Sequence, residues 1–190
     1  PWAGLLRIVR RLPCRRDSLK SPFWRRGKAQ RMNWFKLCLH LPRVPEPEVM
    51  DASGEVEAYS TAAAQSYLEK IDDTFVVHAL RLLRGRESRR TGGRALDIGC
   101  GPGQIVLKLA QRLPGWQFTG LDRSANMVRE VLSARDELAR REHGDLASRV
   151  QVFVGDGMEL PFADASIDLV LCNSVLHHLN APRKVFAEMV

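Results

Sequence analysis

The chain has 190 residues, 45% hydrophobic and 27% charged, which is room for one domain with an appendage and too balanced for a disordered or fibrous protein. Its net charge of +7 is unevenly spread: residues 1–45 carry 12 Lys and Arg against one acid, Asp17, whereas residues 46–190 carry 17 against 21 acids. The globular part is therefore mildly acidic, giving no electrostatic case for nucleic-acid binding, and no run of 18 apolar residues exists to span a membrane. Cys14, Cys38, Cys100 and Cys172 lie far apart with no CxxC pair, so a reduced, cytoplasmic setting is expected and no metal site is.

Residues 1–31 contain no methionine and are crowded with Arg, Pro and Trp. On a helix, Trp2, Leu5, Leu6, Val9 and Leu12 share one face before Pro13 stops the pattern. Three readings stay open: an amphipathic segment across residues 1–12 that touches an anionic membrane surface or serves targeting, a basic tail without fixed structure, or sequence that is not native, with translation starting at Met32. Asn33–Leu41 reads as a short apolar helix, and Pro42, Pro45 and Pro47 as a linker. Residues 46–93 form a helical cap. Within it Ser53–Leu83 is helix-forming: apolar residues from Ala62 to Leu83 recur at three- and four-residue steps and predict two helices meeting near Asp72-Asp73, which would cap the second. A basic loop, Arg84–Gly93, follows.

From residue 94 onward strands and helices alternate. Strands are predicted at Arg94–Gly99, Gln117–Asp122, Val150–Gly155 and Ile167–Asn173, and helices at Gly103–Leu113, Ser124–Glu142 and Pro182–Val190. Pro114-Gly115 ends the first helix, Ser124 caps the second, and Pro182 stands where a helix start accepts it. Apolar strands joined through amphipathic helices imply parallel pairing and right-handed crossovers, hence a doubly wound, Rossmann-like α/β sheet that binds ligands at its carboxyl edge.

Four features fall on that edge. The first is Asp97-Ile98-Gly99-Cys100-Gly101-Pro102-Gly103, in which glycines at 99, 101 and 103 let the backbone turn sharply and approach a ligand ahead of a helix N-terminus. The second is Asp122, an acid placed to accept both hydroxyls of a ribose, or else to cap the next helix. The third is Asp156-Gly157-Met158, which suits an adenine amino group and ring, or an ordinary Asp-Gly turn. The fourth is Cys172-Asn173-Ser174-Val175-Leu176-His177-His178, where Asn173 can present an amide and His177 or His178 a base, although a histidine pair in a loop is more often structural.

Taken in order, Leu96-Asp97-Ile98-Gly99-Cys100-Gly101-Pro102-Gly103, Gly120-Leu121-Asp122-Arg123-Ser124-Ala125-Asn126-Met127, Gly155-Asp156-Gly157-Met158-Glu159-Leu160-Pro161-Phe162 and the following Ala163-Asp164-Ala165-Ser166-Ile167-Asp168-Leu169-Val170 resemble the class I S-adenosylmethionine-dependent methyltransferases, most closely those acting on small molecules such as quinone-pathway metabolites. The resemblance covers about residues 94–190. It implies the first four strands of a seven-strand methyltransferase fold, with N-terminal helices covering the pocket and Tyr59 or Tyr67 near the cofactor. It also implies that Gly99, Gly101 and Gly103 wrap the methionine part of S-adenosyl-L-methionine beside Asp97, that Asp122 binds the ribose with Met127 packed nearby, that Asp156, Gly157 and Met158 hold the adenine, that Cys100 and Arg123 belong to the same cofactor-binding set, and that Asn173 faces cofactor and acceptor. A small-molecule methyl acceptor is expected.

Because the family's fifth strand and antiparallel hairpin would lie beyond Val190, a fragment of a longer product is expected, with the fourth strand left as a bare apolar edge prone to aggregation or to pairing with another chain. Two rivals stand beside this reading. A non-catalytic S-adenosylmethionine-binding module would share all four features. A nicotinamide-dependent oxidoreductase would share the turn and the ribose acid, but its Gly-x-Gly-x-x-Gly pattern fails here, since position 104 is Gln.

Overall fold

The computed structural model describes residues 5–8, 44, 54, 56–58, 61, 66–84, 92–142 and 144–190. Their elements are β1 (Leu5–Ile8), α1 (Ser66–Arg84), β2 (Gly93–Ile98), α2 (Gln104–Arg112), β3 (Trp116–Asp122), α3 (Ala125–Glu142), α4 (Leu146–Arg149), β4 (Val150–Val154), β5 (Leu169–Cys172) and α5 (Pro182–Glu188). The sheet runs β1-β5-β2-β3-β4. β2, β3, β4 and β5 are mutually parallel, with Asp97 opposite Gly120 on one side and Leu171 on the other, and Asp122 opposite Val154.

Alternation along each strand sorts side chains onto two faces. Ala95, Phe118, Val150, Val152, Leu169 and Leu171 pack with Phe75, Val76, Ala79 and Leu83 of α1, with α2, and with Val128 and Val131 of α3. Leu96, Ile98, Leu121, Val170 and Cys172 pack on the other face with Ile167, Leu179, Val185 of α5 and Met189 just after it. Helices on both faces give the expected doubly wound arrangement. At the base of the sheet Arg94 and Asp168 form a reciprocal pair: Arg94 N donates to Asp168 Oδ2 at 3.0 Å, and Asp168 N donates to the Arg94 carbonyl at 2.8 Å. That clamp keeps Ile167 and Asp168 ahead of β5 rather than in it.

Three expectations change. Leu5–Ile8 is not a turn of amphipathic helix but a strand antiparallel to β5, with Leu5 opposite Cys172 and Ile8 opposite Leu169. A run of Leu, Leu and Ile fits a strand as well as a helix face. What decides is the row of N–H and C=O groups along β5, which β1 satisfies. The bare edge expected at the fourth parallel strand is thereby covered, and the sheet has five strands, not four. Next, α1 runs unbroken through Asp72-Asp73 instead of dividing there. Asp73 pairs with Lys108 of α2 at 2.7 Å, so the acids serve the helix sides rather than a cap. Finally, α4, a single turn after Gly144-Asp145, was not foreseen. The helix read at Asn33–Leu41, nearly all of the Pro42–Pro47 linker and most of the Arg84–Gly93 loop lie outside the described residues. No helix of the described residues is long and apolar enough to cross a membrane.

α4 delivers a buried arginine. The Arg149 side chain, in a residue 7% exposed, donates from Nη1 to the carbonyls of Ala110 (3.1 Å), Leu113 (3.3 Å) and Trp116 (3.3 Å), from Nη2 to Ala110 (3.1 Å), and from Nε to Asp145 Oδ1 (2.6 Å). It satisfies the open carbonyls at the C-terminal end of α2 and fastens them to the start of β3. Arg149→Met keeps the apolar stem and strands those carbonyls. We expect it to lower stability by about 2–4 kcal/mol in urea unfolding, whereas an unchanged midpoint would show that the carbonyls find other partners.

Candidate functional site

The chain leaves β2 through a turn that only glycine makes without strain. Gly99, Gly101 and Gly103 have φ of +67°, +51° and +83°, all in the left-handed region. Two of them also lack room for a side chain: a Cβ on Gly99 would lie 2.2 Å from Val175 Cγ2, and one on Gly103 would lie 2.6 Å from Val131 Cγ1. Gly99 N and Cys100 N both donate to the Leu121 carbonyl, at 2.7 and 3.1 Å, which lays the turn across the end of β3. No side chain caps α2, whose leading N–H groups therefore remain available above the turn.

Asp122 ends β3, and both of its oxygens are engaged. Oδ2 accepts from Gly101 N at 2.8 Å, and Oδ1 accepts from Ser124 N at 2.9 Å. Cap and ligand acid were alternatives in the sequence; the structure gives the carboxylate an architectural task while leaving lone pairs on each oxygen. The cap of α3 is Ser124, whose Oγ accepts from Met127 N at 3.1 Å. Met127 itself is 3% exposed, in the first turn of that helix.

The loop after β4 lies alongside. Gly155 N donates to the Asp122 carbonyl at 2.8 Å, Asp156 Oδ1 accepts from Met158 N at 2.9 Å, and Arg123 Nε stands 4.0 Å from Asp156 Oδ2, both side chains partly exposed. Gly157 is buried, and a Cβ there would meet Ile98 Cγ2 at 2.5 Å, so its glycine is demanded by the sheet beneath it. Met158 is half-buried against the same apolar cluster.

After β5, Asn173 is partly buried and Ser174 takes φ of +56°, an uncommon value for a residue with a Cβ. That bend sets Val175 against Gly99, bringing this loop onto the glycine turn. His177 and His178 stack with ring centroids 3.9 Å apart, tilted 40°. His177 is exposed and His178 partly buried. Nothing in sequence spacing announced Ser174 or Val175; a residue that fills the space above a left-handed glycine is visible only in three dimensions.

Asp97 is the buried charge of the rim. It is 2% exposed, and burial first, then the Asp122 and Asp72 charges, push its carboxyl from about 3.8 up to about 7. The nearby thiols are quiet: burial raises Cys100 well above the ordinary thiol range and Cys172 to about 12, so neither offers a thiolate near neutral pH. The raised carboxyl has a consequence for stability. Between about pH 4 and pH 7 the folded chain keeps a proton that the unfolded chain has lost, so stability is highest on the acid side of this window and declines toward pH 7. Asp97→Asn removes the titration; we expect thermal melts across this window to show a shallower decline than the parent, and equal slopes would contradict the assignment.

Glycine turn, Asp122, Asp156 loop and Asn173 thus gather at the carboxyl edge of the four parallel strands, where open α/β sheets bind their ligands. Comparison with known proteins narrows this. The family described as "Methyltransferase domain" matches residues 96–190, and the chain belongs to it. It is 37% identical over 97 residues to 27-O-demethylrifamycin SV methyltransferase of Amycolatopsis mediterranei (51% of this chain, 33% of that protein). It is 35% identical over 98 residues to demethylmenaquinone methyltransferase of Roseiflexus castenholzii (51% and 37%). Among solved structures, phosphoethanolamine N-methyltransferase 2 of Haemonchus contortus, with phosphomonomethylethanolamine and S-adenosylhomocysteine bound, superposes with a TM-score of 0.54 at 26% identity, covering 73% of this chain and 30% of that one. The chain spans about a third of the length of the curated relatives it matches.

Proposed function

We propose that this chain is the cofactor-binding part of an S-adenosyl-L-methionine-dependent methyltransferase acting on a small molecule. The observation that carries the reading is the rim itself: a left-handed glycine turn pinned by Asp122, with the buried Asp97 on one side and Asp156 on the other. A cationic adenosyl compound suits that set of acceptors, since its ribose and adenine offer hydrogen-bond donors and it carries a sulfonium and an α-ammonium group. The similar proteins are named for 27-O-demethylrifamycin SV, demethylmenaquinone and phosphoethanolamine, which supports a small-molecule acceptor.

When bound, the cofactor supplies a methyl group already activated on a sulfonium sulfur. The chain's residues then have to bind, orient and exclude water. Asp122 would accept the ribose hydroxyls through lone pairs not used by Gly101 and Ser124. Asp156 and Met158, with Arg123 beside them, would hold the adenine. Gly99, Cys100, Gly101 and Gly103 let the backbone lie against the methionine part, and Asn173 faces the transfer region. Where the acceptor must lose a proton, we assign its removal to His177, the exposed member of the pair. The free, buried thiols of Cys100 and Cys172 suit a reducing compartment, and we infer a cytoplasmic setting.

Calorimetric titration of the chain with S-adenosylmethionine, S-adenosylhomocysteine and NAD tests the reading. We expect both adenosyl ligands to bind and NAD not to, and we expect Asp122→Asn to weaken the adenosyl ligands by about tenfold or more. Binding of NAD alone, or unchanged affinity in a folded Asp122→Asn variant, would overturn it.

A further inference from the structure

The segment that follows β5 touches two loops of the rim. Its beginning stands on the glycine turn. All three side-chain carbons of Val175 crowd the place of the missing Gly99 side chain: a Cβ there would lie 2.2 Å from Cγ2, 2.9 Å from Cγ1 and 3.1 Å from Cβ. Its far end holds the loop that carries Asp156. Glu188, the last residue of α5, accepts from Leu160 N at 2.9 Å through Oε2, and Val185 Cγ2 stands 3.8 Å from where a Cβ of Gly157 would be.

Between these anchors lies a turn that carries Asn173 and His177. The chain leaves β5 at Asn173, Ser174 bends it at φ of +56°, and His178 N donates to the Val175 carbonyl at 3.0 Å, closing a turn with His177 exposed on it. Leu179 then enters the core at 4% exposure. A left-handed serine opposes its own backbone preference and is held by what surrounds it. The seat of Val175 on Gly99 is one such hold. Because Gly99 has no side chain, nothing separates Val175 from the backbone along which a ligand would lie, and close-packed apolar contacts shift as units instead of yielding gradually.

Building on the methyltransferase reading, we propose that Val175 is a positioning residue. Through its seat on Gly99 it makes the Asn173–His178 turn and the glycine turn one body, so that an adenosyl cofactor settling on the glycine turn also fixes the turn that bears Asn173 and His177. Residue 99 is then glycine for two reasons, the left-handed backbone and the side chain that stands above it.

The test reads hydrogen exchange at single amides by NMR, in the chain with and without S-adenosylhomocysteine. In the parent, the ligand is expected to slow exchange at the His178 amide by about fivefold or more, together with the Gly101 amide that is bonded to Asp122. Val175→Ala removes both methyl groups over Gly99; ligand protection is expected to stay at Gly101 and to fall below about twofold at His178. Val175→Thr keeps the branched shape, and position 175 is partly exposed, so the added hydroxyl can be hydrated and the His178 response is expected to persist. Unchanged protection of His178 in Val175→Ala would leave Val175 as ordinary packing, loss at Gly101 as well would make it a support of the glycine turn alone, loss of the response in Val175→Thr would show that shape does not couple the two turns, and no ligand effect at His178 in the parent would show that they move independently; each overturns the proposal. Failure of S-adenosylhomocysteine to bind the parent chain in calorimetric titration would instead refute the functional reading on which it rests.

Discussion

One carboxylate holds the rim together. Through its two oxygens Asp122 joins the backbone of the glycine turn to the start of α3, and through its carbonyl it accepts the first hydrogen bond of the loop that follows β4. Two loops from other parts of the chain and the start of the next helix are thereby fixed to one residue at the end of one strand. The left-handed conformations at residues 99, 101 and 103 are maintained by that anchor and by the apolar contacts of Val175 and Val131. A surface built this way is ready before any ligand arrives, so little ordering is left to oppose binding.

The charge distribution has the same logic. The chain as a whole is basic, yet the carboxyl edge of the sheet gathers Asp97, Asp122 and Asp156, with Arg123 beside the last. Burying Asp97 among other acids opposes folding as the pH rises, and natural sequences keep such arrangements where a ligand gains from them. The apolar packing beneath, with α1, α2 and α3 on one face and α5 on the other, supplies the rigidity that lets the rim keep an unfavourable group in place.

The turn and the strand-end acids were legible in the sequence because their constraints are local. A left-handed backbone asks for glycine, and an acid at the end of a strand is marked by the helix or turn that follows it directly in sequence. The parallel strands and their helices were legible for a similar reason, since apolar periodicity changes from two to three or four at each junction. What escaped depends on partners far away in sequence. Leu5–Ile8 reads equally as helix or strand until β5, more than 160 residues later, presents an open edge. Asp72-Asp73 looks like a helix cap until Lys108 is seen to claim one acid and the core-facing stripe to claim the other. Arg149 gives no local hint that it will close the end of a helix whose carbonyls belong to residues 110 and 113.

The chain belongs to a methyltransferase family and spans about a third of the length of these curated relatives. The central claim, a single adenosyl-binding hollow bounded by the glycine turn and the strand-end acids, is most directly tested by a crystal structure of the chain with S-adenosylhomocysteine. It should show the ribose hydroxyls on Asp122 and the adenine beside Asp156. A ligand seated away from the carboxyl edge, or Asp122 and Asp156 facing different spaces, would contradict it.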